Sequence, residues 1–304
     1  MKPTIITHRG LQPARKDHPF EQSLEALKFQ IGRGYGLEFD PSFTKDRSVG
    51  KSIVVMHDPT LSRLTASKDD RLVRDVSFLE ITKLKLPGGF TVPTLDQVLE
   101  LIESHSVGIS AMHLKGIFQE GTEDIDLILA HLKKHPDVVD RIMIFDVKPE
   151  NARYMLEKNP DLILAPSVAH NYDIERYNSS VARTLISVEE ALELGPKGEG
   201  LYRWIWGDEW DLTDTDGDSK QLYTKEFFAT LHDSGYMVAV VMPELHATSP
   251  RLKSGEVHSD GASMKTALRR AKEIIANGAD ALCTDYPEEL QTLINVSLSH
   301  AYLQ

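Results

Sequence analysis

Four stretches of this chain share one design, an apolar run that ends in chemically active side chains. They are Ile5-Ile6-Thr7-His8-Arg9-Gly10, Leu37-Glu38-Phe39-Asp40, Val54-Val55-Met56-His57-Asp58 and Ile109-Ser110-Ala111-Met112-His113-Leu114-Lys115. On an extended strand, residues i and i+2 share a face, so Glu38 projects with Asp40 and His113 with Lys115. The collected set holds three carboxylates, three imidazoles, one arginine and one lysine. It suits a divalent cation and a phosphate better than it suits an apolar core. Two carboxylates on one face repel unless a cation lies between them. Arg9 can grip an oxyanion through a bidentate fork, and Lys115 can neutralise it as a point charge.

Such groups need elements to hold them. Strands are expected near 4–8, 36–41, 107–114, 141–146, 162–168, 201–206, 237–242 and 280–284. Helical patterns fall near 21–33, 94–104, 123–134, 149–158, 188–194, 224–234 and 264–277. In 94–104, Leu95, Val98, Leu99 and Ile102 keep helical spacing behind Thr94, with Gln97 placed to complete a capping box. Alternating β and α elements with short loops imply parallel strands. Eight such strands imply one α/β domain over 1–304, a (β/α)₈ barrel whose active side chains gather at the carboxy-terminal strand ends. Residues 42–93 form an insertion between strands two and three, and 243–263 read as a long polar loop or lid after strand seven. Thr184–Val188 fits either a strand or the start of a helix.

Composition narrows the partners. A net charge of −12 over 304 residues excludes non-specific binding to nucleic acid or to an anionic membrane. No apolar stretch approaches the roughly 20 residues that span a bilayer, and Met1-Lys2-Pro3 leads straight into the first strand. The single Cys283 excludes an intramolecular disulfide and, among apolar neighbours, reads as a buried thiol. These features fit a cytoplasmic chain. Asp214-Thr215-Asp216-Gly217-Asp218 imitates a calcium loop, but with Gly217 in the sixth place the first and twelfth are Leu212 and Tyr223, so it reads as an acidic surface turn. Trp204 and Trp206 share a strand face, where one of them can stack on a sugar or choline-like group or fill the core.

The order His8-Arg9-Gly10, Glu21, Glu38-Phe39-Asp40, Thr44-Lys45-Asp46, His57-Asp58 with Leu61 and Arg63, then Pro93-Thr94-Leu95, resembles the glycerophosphodiester phosphodiesterase family. Gly278-Ala279-Asp280 followed by Thr284-Asp285-Tyr286-Pro287 resembles that family's closing strand. The similarity covers roughly the first 115 residues and the last 70, and between them only the α/β rhythm matches. The resemblance implies a TIM barrel that hydrolyses a small phosphodiester to an alcohol and a phosphomonoester, a role in glycerol and lipid metabolism. His8 and His57 would be the catalytic acid and base, one activating the nucleophile and the other protonating the leaving alkoxide. Arg9, Glu21, Lys115 and Trp206 would bind substrate, and Glu38, Asp40 and His113 would hold a divalent cation.

The family's usual ions are Mg²⁺ or Ca²⁺, which take oxygen ligands. This chain departs from the family's pattern at three places. Gln22-Ser23 follow Glu21 where the family has Asn-Thr, and Val241-Met242 stand where strand seven usually ends in Trp-Thr. His113 occupies the place of a third carboxylate. An imidazole there moves the preference toward Mn²⁺ or Zn²⁺, or else His113 has left the shell and water replaces it. Two other activities fit the same residues. One is a lyase that releases a cyclic phosphate. The other is a phosphodiester-binding protein without turnover, against which the presence of both histidines argues.

Overall fold

In the computed structural model, residues 2–65, 68–209, 221–243, 245 and 263–301 are described, with backbone alone over 297–301. Trp210, the acidic turn at Asp214–Asp218 and nearly all of the 243–263 loop lie outside them.

Parallel strands β1 (Thr4–His8), β2 (Gly36–Phe39), β5 (Ser110–His113), β6 (Ile142–Phe145), β7 (Ile163–Ala165), β8 (Ser167–Val168), β10 (Trp204–Gly207), β11 (Met237–Val241) and β12 (Ala281–Thr284) follow one another in the order β7-β6-β5-β2-β1-β12-β11-β10-β8. A short β9 (Leu185–Ile186) pairs with the outer edge of β8. β7 and β8 are two halves of one run, parted at Pro166, whose missing N–H interrupts the ladder. β7 bonds to β6 on one side, while Arg203 and Trp206 donate backbone N–H groups to Leu164 and Pro166 at 3.2 and 3.0 Å on the other. The ring therefore closes, and the ten-stranded sheet is an eight-stranded barrel with one strand broken and one added.

Residue parity along the strands decides which side chains enter the barrel. Ile5, Leu37, Phe39, Met112, Leu114 and Ile205 face outward and pack beneath the helices. Ile6, Ala111, Met143, Ala165, Trp206, Ala239 and Cys283 face inward and fill the barrel axis. His8, Glu38, Asp40 and His113 inherit the inward parity at the carboxy-terminal ends. The face-sharing expected of Glu38 with Asp40, and of Trp204 with Trp206, is observed, and Cys283 is buried as expected.

The outer layer contains α1 (Leu24–Ile31), α3 (Leu95–Glu103), α4 (Glu123–Leu132), α5 (Pro149–Lys158), α7 (Val188–Leu194), α8 (Lys225–Asp233) and α9 (Met264–Asn277). Thr94 and Gln97 form the anticipated capping box on α3. The helix expected over 21–33 starts later, capped by Ser23, which leaves Glu21 outside it. Thr184–Val188 satisfies both of its readings, because β9 is followed at once by the Ser187 cap of α7. The run expected over 36–41 breaks at Asp40, and Pro41–Phe43 (β3) leaves the barrel to pair antiparallel with Ile53–Val55 (β4). The strand expected over 201–206 is displaced to 204–207. Among the described residues, three further α-helices lie outside the expected set: Phe78–Lys83 (α2), Asn171–Tyr177 (α6) and Pro287–Ala301 (α10).

The insertion packs a small core of its own from Val54, Met56, Leu61, Leu64, Val73, Ile81, Leu86 and Val92. Lys115 donates a hydrogen bond to the backbone oxygen of His57, which ties this insertion to the strand end that carries His113.

Candidate active site

His8 ends β1 and is held from the far end of the chain. Its Nδ1 lies 2.7 Å from Oδ1 of the buried Asp285, just beyond β12. Donation from Nδ1 fixes the tautomer and leaves Nε2 as the ring's other nitrogen for proton transfer. Burial first, and then the neighbouring Arg9 charge, hold the His8 pKa well below its ordinary value. The backbone after β1 turns sharply, with φ of +53° at Arg9 and +69° at Gly10. A Cβ at Gly10 would also come within 3.2 Å of the Ala26 backbone, so glycine serves both the left-handed turn and the contact with α1. The turn aims the Arg9 N–H at Glu38 Oε2, 3.1 Å away, and its guanidinium at Glu21, 3.3 Å away.

Glu38 and Asp40 are both buried and close to His113; one ligand atom from each of the three lies within 4.8 Å of the others. Burial and the adjacent Asp40 charge push Glu38 far above the usual carboxylate range. Burial would raise Asp40 as well, but Lys115, His57 and His113 outweigh it and hold Asp40 well below that range. Lys115 Nζ lies 3.2 Å from Asp40 Oδ1, and Gln22 donates to Asp40 through Nε2. His113 bridges two acids, with Nδ1 at 3.0 Å from Asp40 and Nε2 at 3.4 Å from Asp146. Burial alone would lower its pKa, but these two partners raise it to about 9. Two buried acids that resist sharing charge, beside an imidazole that binds a proton between carboxylates, form a donor set that a divalent cation would satisfy. The residues fit the ion that the resemblance implies.

His57 reaches the same cavity from the insertion. Its Nδ1 lies 3.2 Å from Asp58, which Arg63 clamps through Nε and Nη2 at 2.6 and 2.9 Å. Burial pushes the His57 pKa down to about 4, against the pull of Asp40 and Asp58. Arg63 also pairs with Glu21, so Glu21 links the Arg9 side of the site to the His57 side. Behind His113 stand Phe145, stacked at 4.6 Å, and Trp206, stacked on Phe145 at 3.9 Å. His8, Arg9, Glu38, Asp40, His57, His113, Lys115 and Trp206 all line one cavity of about 360 Å³. Glu21 stands behind it through its pairs with Arg9 and Arg63.

Sequence reasoning assigned no site role to Gln22, Asp146 or Asp285. Asp146 had a readable signal, since Ile142-Met143-Ile144-Phe145-Asp146 repeats the apolar-run design of the other strand ends. Its φ of +67° directs it toward His113, and Gln119 secures that turn by donating to the Asp146 and Leu114 carbonyls at 2.8 and 2.7 Å. Asp285 had been noticed only as part of the closing strand. Its bond to His8 spans 277 positions, a distance that no local pattern encodes.

A model of the glycerophosphoryl diester phosphodiesterase family matches residues 8–190, well over half of the chain. The match runs past the roughly 115 residues that carried the resemblance, and the closing-strand motif at 278–287 lies outside it. A curated glycerophosphodiester phosphodiesterase from Bacillus altitudinis is 28% identical over an alignment of 155 residues that covers 46% of this chain and 56% of that protein. The matched stretch thus spans about half of that relative. Among solved structures, a glycerophosphodiester phosphodiesterase from Parabacteroides distasonis superposes with a TM-score of 0.65 at 17% identity, covering 98% of each chain. An Oleispira antarctica phosphodiesterase in complex with the product sn-glycerol-3-phosphate superposes with a TM-score of 0.62 at 18% identity, covering 96% of this chain and 97% of its own. The structural likenesses share the barrel fold, and the family model supplies the kinship: the chain belongs to the glycerophosphoryl diester phosphodiesterase family.

Proposed function

We propose that this protein hydrolyses a phosphodiester to an alcohol and a phosphomonoester, with His8 and His57 as the proton-transfer pair. The observation that carries the reading is one cavity in which two carboxylate-backed imidazoles, two cations and a buried carboxylate pair converge. Arg9 and Lys115 supply positive charge where a phosphate would bind. Each is anchored by carboxylates, so little reorganisation is needed as charge moves onto the phosphoryl oxygens. Asp285 and Asp58 fix the rings of His8 and His57 and favour the imidazolium that forms when a proton is taken up. One ring removes a proton from the attacking water, and the other gives a proton to the departing alcohol oxygen. An approaching anionic diester favours protonation of both rings, opposing the lowering that burial imposes on them.

Glu38, Asp40 and His113 would hold a divalent cation, which when bound would neutralise phosphoryl charge as a Lewis acid. The Oleispira antarctica enzyme's complex with sn-glycerol-3-phosphate supports a glycerophosphodiester as substrate. Phosphorus NMR of glycerophosphodiesters incubated with protein and a panel of divalent metals tests the reading. A phosphomonoester product is expected. A cyclic phosphate would assign a lyase, and no product with any metal would leave a binding protein.

A further inference from the structure

The groups assigned to the chemistry come from one arc of the barrel. His8, Arg9, Glu38, Asp40, His57, His113 and Lys115 come from the ends of the first three barrel strands and from the insertion. The rest of the described lining includes an apolar wall of Ile117, Val181, Leu185, Val241, Leu245 and Trp206. Ile117 is 57% exposed and adds its side chain to this lining.

This wall is constructed. Ala182 and Arg183 both hold left-handed backbone conformations, at φ of +56° and +63°, so the turn carries strain that its surroundings must sustain. The Asn178 side chain sustains it, exchanging two 3.0 Å hydrogen bonds with the Leu185 backbone, while the Asn178 carbonyl accepts from Arg183 N at 2.7 Å. The turn also presses on the strand end beside Lys115, where a Cβ at Gly116 would lie 2.5 Å from Ala182 Cβ.

We infer that this wall is a subsite for an uncharged, apolar alcohol substituent of the phosphodiester, an inference that rests on the phosphodiesterase reading of the catalytic residues. Burying such a substituent against aliphatic side chains is favourable in proportion to its area, and the cavity volume suits a small organic group. Ser167, Ser180 and the Asp208 carboxylate also reach the cavity. Asp208 disfavours a second anionic group and makes a cationic substituent the competing occupant. A quaternary ammonium group, however, needs open aromatic faces. Trp206 has one face covered by Phe145 at 3.9 Å, and the Tyr177 ring already carries the Arg176 guanidinium at 4.9 Å.

The test is a series of glycerol phosphodiesters esterified with ethyl to n-hexyl alcohols, with glycerophosphocholine beside them. We expect kcat/KM to rise with chain length, by up to about fourfold per methylene, and the hexyl ester to exceed glycerophosphocholine. Leu185→Ser and Val181→Ser should flatten the rise. A flat series, or a preference for the choline ester, would overturn the subsite while leaving the hydrolase reading intact. If no ester is turned over, the hydrolase reading fails by itself. Calorimetric binding of n-alkyl phosphate monoesters then decides the subsite, with affinity that tightens with chain length supporting it and uniform affinity overturning it.

Discussion

Glu38 and Asp40 stand two residues apart on one face of the barrel, equally buried, yet Asp40 keeps its charge and Glu38 resists ionising. The difference lies in their partners. Lys115, Gln22 and His113 converge on Asp40, whereas Glu38 accepts from the Arg9 backbone N–H. A divalent cation would complete what Glu38 lacks.

Added Mn²⁺, Zn²⁺ or Mg²⁺ should therefore raise the melting temperature, because a ligand that binds only the native state adds about 2.7 kcal/mol of stability at a hundredfold excess over Kd. Glu38→Gln should abolish both the rise and the activity. Differential scanning fluorimetry with and without chelator checks this, and full turnover after chelation would refute it.

Metal binding should also expel protons. In the metal-free protein His113 has its pKa raised to about 9, and Glu38 is raised far above its ordinary value of 4.5. At neutral pH both bind protons that the unfolded chain would have released, so the stability contributed by His113 falls as pH rises above about 6.5 and that of Glu38 already falls above about 4.5. His57, lowered to about 4, and His8, lowered likewise, act in the opposite sense. The unfolded chain takes up those protons first, so stability falls as pH drops below about 6.5, with Glu38 offsetting part of that loss. The metal-free melting temperature should peak near pH 6.5, and the alkaline decline should disappear once metal is bound. Calorimetry in buffers of different ionisation enthalpy measures the protons released.

His8→Ala and His57→Ala should each lower kcat by roughly 10²–10⁴, but they should differ in stability. Removing His8 deprives the fully buried Asp285 of its 2.7 Å partner, at a cost of about 1–3 kcal/mol. Removing His57 leaves Asp58 clamped by Arg63 and should cost little. Urea unfolding of the two variants beside their kinetics separates the effects. Near-normal activity in either one would cancel its proton-transfer role.

His113→Glu should restore a preference for Mg²⁺ or Ca²⁺, since an oxygen ligand replaces a nitrogen one. Asp146→Asn should weaken metal binding by about 10–100-fold without changing the ranking of metals, as expected for a group that orients a ligand. An identical ranking in wild type and His113→Glu, measured by calorimetric titration, would remove His113 from the coordination shell.

The barrel was legible because its strands are short apolar runs whose parity sorts inward from outward residues, as Ile5 and Ile6 do at the start of β1. His8, Glu38, Asp40 and His113 inherit that parity and could be placed from local pattern alone. Helix α6 escaped because its seven residues bury only Asp173 and Tyr177 and leave little apolar periodicity to read. The late start of α1 turned on a single cap, Ser23, whose side chain accepts from the Ala26 N–H. Asp285 belongs to the site only through a distant pairing, and such a partner emerges once the ring is closed.

That closure has a consequence for how the protein is made. β1 is flanked by β2 and by β12, with Thr4 opposite Ala281 and Thr7 opposite Thr284. On a ribosome adding about 5–20 residues per second, the first strand waits on the order of tens of seconds for its second neighbour. Through that interval one edge of β1 stays unpaired and His8 stays without Asp285. The first part of the active site to be synthesised is thus among the last to be completed, and chaperone dependence should be set by this earliest strand.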